Sequence, residues 1–132
     1  MSLLQWSNDL TLGVPKMDTE HKELISLMNE LWELDQKKAA KAALESAFGK
    51  LGACVVRHFA DEEAHMKAVG HQGLANHCLI HKDLLQKFTG FGDEFKKGDG
   101  RVSPKVFQFL KHWLVSHIRG VDKLYAPQPA KV

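Results

Sequence analysis

Along the chain the apolar residues recur at steps of three and four, and nowhere do they alternate with period two, so the pattern predicts helices and no strands. Leu24, Ile25, Met28, Leu31 and Trp32, preceded by Pro15 and Asp18, predict a first helix over about 19–37. Leu44, Phe48, Leu51, Val55, His58 and Glu62 lie on one stripe of a second helix, about 41–68, ended by Gly70 with Gly73 in the same connection. A third stripe, Leu74, His77, His81, Leu84, Phe88, Phe91 and Phe95, predicts a helix over about 74–97, weakened near its end by Gly90 and Gly92. Lys97-Gly98-Asp99-Gly100 reads as a turn, and Ser103-Pro104 as an N-cap followed by proline at the first helical position. From there Val106, Leu110, Trp113, His117, Val121 and Leu124 predict a last helix reaching about Tyr125, with Pro127 and Pro129 in a frayed tail.

Four such helices joined by short connections predict an all-α fold, an up-down-up-down four-helix bundle. Residues 1–18 form an N-terminal arm whose Trp6, Leu10, Leu12 and Val14 give it apolar anchors against the bundle. The expected organisation is one domain over 1–132: arm 1–18, bundle 19–125 and tail 126–132. A chain of 132 residues suits one core. Its 18 Lys and Arg against 16 Asp and Glu are scattered, which argues against nucleic acid or an anionic membrane as partner. The N-terminus has no basic region followed by an apolar run, and no segment is long and apolar enough for a membrane span, so a cytoplasmic protein is expected. Cys54 and Cys78 read as buried free thiols rather than a disulfide.

The chemistry lies in the polar residues on the apolar stripes. A histidine alone in such a place is ordinarily a hydrogen-bonded core residue, but here five fall together with two acids: His21, His58, His77, His81 and His117, with Glu62 and Asp122. His58 and Glu62 are one turn apart on the same face, as are His77 and His81. Burying a carboxylate such as Glu62 among leucines costs several kcal/mol unless a cation neutralises it. Neutral imidazole binds transition metals and a carboxylate can span two ions, so the set suits a pair of irons better than one zinc.

The pattern Asp18-x-x-His21, His58-Phe59-x-x-Glu62-Glu63, His77-x-x-x-His81 and His117-x-x-x-x-Asp122-x-x-Tyr125 resembles the hemerythrin family, in its bacterial single-domain branch, over nearly the whole chain. The resemblance implies two iron ions, cycling between ferrous and ferric, bridged by an oxo or hydroxo group. It implies that His77, His81 and His117 hold one iron, that His21 and His58 hold the other, and that Glu62 and Asp122 bridge them. If both irons are octahedral, these ligands and the shared oxygen leave one position open, on the iron with two histidines, and the family's chemistry places dioxygen there. Leu24, Phe59, Trp113 and Ile118, each beside a ligand or about one turn from it, are candidates for an apolar oxygen pocket.

The function expected is reversible dioxygen binding, as carrier, store or sensor, with no enzymatic turnover and with a recipient or signalling protein unidentified from the chain. The alternative is a di-iron enzyme acting on oxygen, peroxide or nitric oxide. Di-iron oxidases on four-helix bundles typically use four glutamates and two histidines; five imidazoles here favour binding over high-valent iron. Iron storage would need an acidic lining that is missing.

Some residues depart from the pattern. Asp122 follows His117 by five, about 140° away on a regular helix, so a π-bulge near Gly120 is expected to turn it inward. His71 reads as a solvated loop residue, with a surface metal site formed by His65 and His71 as the alternative; His65 is placed at the pocket mouth. His112 should face outward, and Asp61 and Glu63 read as solvated acidic surface.

Overall fold

The computed structural model describes residues 3–98 and 100–125. Four helices run in chain order: α1 (Pro15–Gln36), α2 (Lys41–Ala68), α3 (Leu74–Lys97) and α4 (Pro104–Gly120). They form an up-down-up-down bundle, and among the described residues there is no strand. No helix is long and apolar enough to cross a membrane. The core comes largely from the stripes: Leu24, Met28 and Leu31 of α1, Leu44 and Leu51 of α2 and Leu110 of α4 are sealed from solvent, with Phe88 and Phe95 of α3 against them, and Leu114 and Ile118 beside the α4 stripe are buried too. Asp99 of the expected turn and the tail 126–132, with Pro127 and Pro129, lie outside the described residues.

α1 begins four residues earlier than the pattern predicts. Pro15 occupies its first turn, where a missing N–H costs nothing. Asp18 is therefore inside the helix, and its carboxylate reaches back to accept from the backbone N–H groups of Leu12 (2.8 Å) and Gly13 (3.2 Å). The first two helices end alike. In α2 the Gly70 N–H donates to the Lys67 carbonyl and the His71 N–H to the Met66 carbonyl, with Gly70 at φ 70, a Schellman cap. In α1 Lys38 and Ala39 donate to Asp35 and Leu34, but the left-handed position, φ 57, is filled by lysine. Ser103 caps α4 by accepting from the Lys105 N–H, ahead of Pro104.

The arm lies on the bundle, with Leu4, Leu10 and Leu12 buried and a 3-10 turn at Asn8–Leu10 packed on α4. Asn29 of α1 holds it with a reciprocal pair of bonds to the Leu4 backbone, 2.9 and 2.8 Å. Asp9 forms an ion pair with Arg119 of α4.

The greatest departure is at the end of α4. The helix stops at Gly120, and Asp122–Leu124 form a 3-10 turn. The Val121 N–H still bonds the His117 carbonyl, as in an α-helix, whereas those of Leu124 and Tyr125 bond Val121 and Asp122. The expected π-bulge is thus replaced by helix termination with tighter winding, which swings Asp122 and Tyr125 inward and leaves Leu124, expected on the buried stripe, 68% exposed.

Candidate metal centre

Each of the four helical arms brings its polar residues to one level of the core. His21 comes from α1, His58 and Glu62 from α2, His77 and His81 from α3, and His117 and Asp122 from α4 and the turn after it. All seven are buried, with Glu62 and Asp122 fully sealed from solvent. Their ligand atoms fall into two groups, each within 4.8 Å: Glu62, His77, His81, His117 and Asp122 in one, His21, His58, Glu62 and Asp122 in the other.

Glu62 divides the histidines between its two oxygens. Oε1 faces the Nε2 atoms of His77 (3.0 Å), His81 (2.8 Å) and His117 (3.9 Å). Oε2 faces those of His21 (3.6 Å) and His58 (3.4 Å). Asp122 repeats the division: Oδ1 lies 3.1 Å from His77 and 2.9 Å from His117, and Oδ2 lies 3.1 Å from His21.

This polar knot is poorly satisfied by hydrogen bonds. Among the described residues neither oxygen of Asp122 accepts a well-formed hydrogen bond and neither ring nitrogen of His21 makes one, although His21 Nε2 lies 3.1 Å from Asp122 Oδ2. The Nε2 atoms of His77 and His117 face each other at 3.2 Å, where at most one can donate. A buried group left in this state costs about 1–3 kcal/mol, more when charged. Converging lone pairs on imidazoles and carboxylates suit cations, and the donor set of nitrogen and oxygen without sulfur suits a first-row transition metal.

The electrostatics say the same. Burial alone would depress the His21 and His117 imidazoles, but Asp122 and Glu62 outweigh it and push both up to about 9. His77 is raised against burial by the same carboxylates. Burial likewise opposes ionisation of Glu62 and Asp122, yet the facing histidines hold both below the usual carboxylate range. Protons on the imidazoles thus stand where metal charge would.

Three groups behind the cluster escaped the sequence reading or were read differently. Glu20, buried beside His21, meets His58 Nδ1 at 2.6 Å. Glu63, expected to be solvated, meets His81 Nδ1 at 2.8 Å. Asp61, also expected to be solvated, stands against Glu20 and pairs with Lys16 at 3.8 Å. A signal for the first two existed: a metal-binding histidine almost always donates its other N–H to a carboxylate, carbonyl or water, and Glu20 and Glu63 each adjoin a candidate ligand in the sequence. Tyr125 donates to Glu62 Oε2 at 2.7 Å, and burial with the nearby carboxylates keeps its hydroxyl protonated well above the usual range.

Around the cluster, Phe59 stacks on the His81 ring at 3.8 Å and meets Trp113 edge-on at 5.9 Å. Leu24 and Ile118 are fully buried. His65 and His71 are half-buried, their rings 5.5 and 6.2 Å from Tyr125, so His71 is not the solvated loop residue expected; neither joins a ligand group. His112 is exposed. Cys54 is buried and Cys78 half-buried, and both are free thiols.

Comparison with known proteins gives one consistent result. The family model of the hemerythrin HHE cation binding domain matches residues 12–128. A bacteriohemerythrin of Stenotrophomonas maltophilia is 30% identical over 97% of this chain and 82% of its own length. A myohemerythrin of Theromyzon tessulatum is 31% identical over 92% of this chain and 89% of its own. The crystal structure of a hemerythrin with one leucine replaced by alanine superposes with a TM-score of 0.88 at 28% identity, covering 96% of this chain and 97% of that one.

Proposed function

The chain belongs to the hemerythrin family, and from that premise we propose that it binds dioxygen reversibly at a non-haem pair of irons held by His21, His58, His77, His81, His117, Glu62 and Asp122. One observation carries the reading: each of two buried carboxylates presents one oxygen to His77 and His117 and the other to His21, as a bridge between two metal positions would. His81 joins the first side and His58 the second, through Glu62.

An iron pair held by these seven residues would supply the two electrons that reversible dioxygen binding needs. The chain's own residues supply the rest. Three histidines would fill more of one metal's surroundings than two would of the other's, which leaves the His21 and His58 side for a small ligand. Five neutral donors and two carboxylates bring little negative charge, which favours keeping both ions ferrous over stabilising higher oxidation states. Leu24, Phe59, Trp113 and Ile118 keep water away from the cluster, so oxygen can leave as it came. Catalytic turnover forms no part of this reading.

The test is single-turnover mixing of the reduced, iron-loaded protein with oxygen, followed by deoxygenation. Recovery of the diferrous protein supports reversible binding. Irreversible conversion to ferric protein in one cycle points to an oxidase and overturns it.

A further inference from the structure

Two of the five clustered histidines carry a carboxylate on the nitrogen that points away from the cluster. His58 Nδ1 meets Glu20 Oε1 at 2.6 Å, and His81 Nδ1 meets Glu63 Oε2 at 2.8 Å. In each ring the other nitrogen, Nε2, faces Glu62: Oε2 in the case of His58, Oε1 in the case of His81. The two couples therefore fall on opposite sides of the bridge-like carboxylate, one in each ligand group. By contrast, the Nδ1 atoms of His21 and His77 have no partner among the described residues.

A carboxylate accepting from Nδ1–H fixes the tautomer with a bare Nε2 and makes that nitrogen a stronger donor. The two acids are not equivalent. Glu20 is buried on α1 with Asp61, itself paired with Lys16, behind it. Glu63 lies on α2 beside the Cys78 thiol, its side chain 36% exposed. Water screens Glu63 more than Glu20, so the Glu20 couple should be the stronger.

We infer that Glu20 and Glu63 are positioning residues, each serving one metal position: Glu20 through His58 at the position with two histidines, and Glu63 through His81 at the position with three. The inference rests on the paired-metal reading above. It would also give the position with fewer imidazoles a means of holding an ion: the stronger couple stands on the poorer side.

The experiment is a cobalt(II) titration of the metal-free full chain, followed by metal analysis and visible absorption, for the parent, Glu20→Gln and Glu63→Gln. Glutamine keeps the shape and removes the charge. The parent should take up two ions. Each variant should weaken one site by roughly ten- to hundred-fold and leave the other unchanged, with a different absorption component lost in each and the larger effect in Glu20→Gln. Ring 15N spectra of the zinc-loaded parent supply a second readout: protonated Nδ1 signals at His58 and His81, with the His58 signal alone moving in Glu20→Gln. Two sites in the parent with equal weakening of both, or of neither, in the variants would overturn the inference and leave the paired-metal reading standing, as would an unprotonated Nδ1 on His58 or His81. A parent that takes up a single cobalt ion would overturn both.

Discussion

Tyr125 donates its hydroxyl to Glu62 across 2.7 Å, and the oxygen it chooses is Oε2, the one that faces His21 and His58. The last described residue of the chain thus holds a carboxylate in the middle of α2 and fixes how its two oxygens are shared. The ring also lies 5.9 Å from His77 and against His65 and His71, so it closes the cluster on the side where α4 ends.

Tyr125→Phe keeps this packing and deletes one hydrogen bond to a charged acceptor, a contact worth about 1.5–3 kcal/mol. We expect the metal-free protein to lose stability by that amount in urea unfolding, and the metal-loaded protein to retain two ions with an altered visible spectrum. An unchanged spectrum and midpoint would show that the hydroxyl does not orient Glu62.

Glu62→Ala should abolish the pair of ions. Among the described residues it removes the only carboxylate that faces all five histidines, and it leaves Asp122 alone between two cations. Metal analysis after expression with ample iron should fall from two ions per chain to one or none, whereas His112→Ala, on the exposed side of α4, should stay at two.

The metal-free protein should become less stable as pH rises. His21 and His117 are raised to about 9 in the folded state against 6.5 unfolded, so the folded chain holds protons that the unfolded chain releases first. Their contribution is fully present below about pH 6.5 and is lost as pH passes 9. Urea midpoints of the metal-free chain measured from pH 6.5 to 9.5 should fall. Because those protons occupy the donor atoms, loading with metal at pH 7.5 should release them, which an indicator dye can count.

Leu24→Ala and Phe59→Ala should hasten loss of the oxygenated form to ferric protein while iron content changes little. Both side chains are buried, Phe59 stacked on His81 and Leu24 about one turn of α1 from His21, and a cavity at either place lets water approach. Autoxidation rates measured beside the parent and a Lys37→Ala control check this; equal rates would mean that oxygen sits elsewhere.

Lys38→Gly should stabilise the fold by up to about 1 kcal/mol, since a left-handed residue carrying a Cβ costs roughly 1–2 kcal/mol and glycine returns part of that as unfolded-state entropy. The thermal midpoint is the measurement, and metal content should not move.

What the sequence determined by itself was whatever repeats within one helix. The three-and-four spacing gave α2 and α3 with the bounds observed, and the four-residue separation of His58 from Glu62 and of His77 from His81 put each pair on one buried face, because the rise and twist of a helix are local properties. Tertiary structure decided what no periodicity encodes. Asp122, at the wrong angle on a regular helix, turns inward because α4 stops at Gly120 and rewinds as a 3-10 turn. Glu63, about 100° from Glu62 on α2, belongs to the solvated face by angle alone, yet α3 brings His81 within 2.8 Å of it. Glu20 has no partner within its own helix pattern that marks it out, and acquires one only where α2 lays His58 against it. Angles around one helix follow from its own residues; the distance and offset between helices are set by how all the faces pack at once, and those decide which carboxylate meets which imidazole.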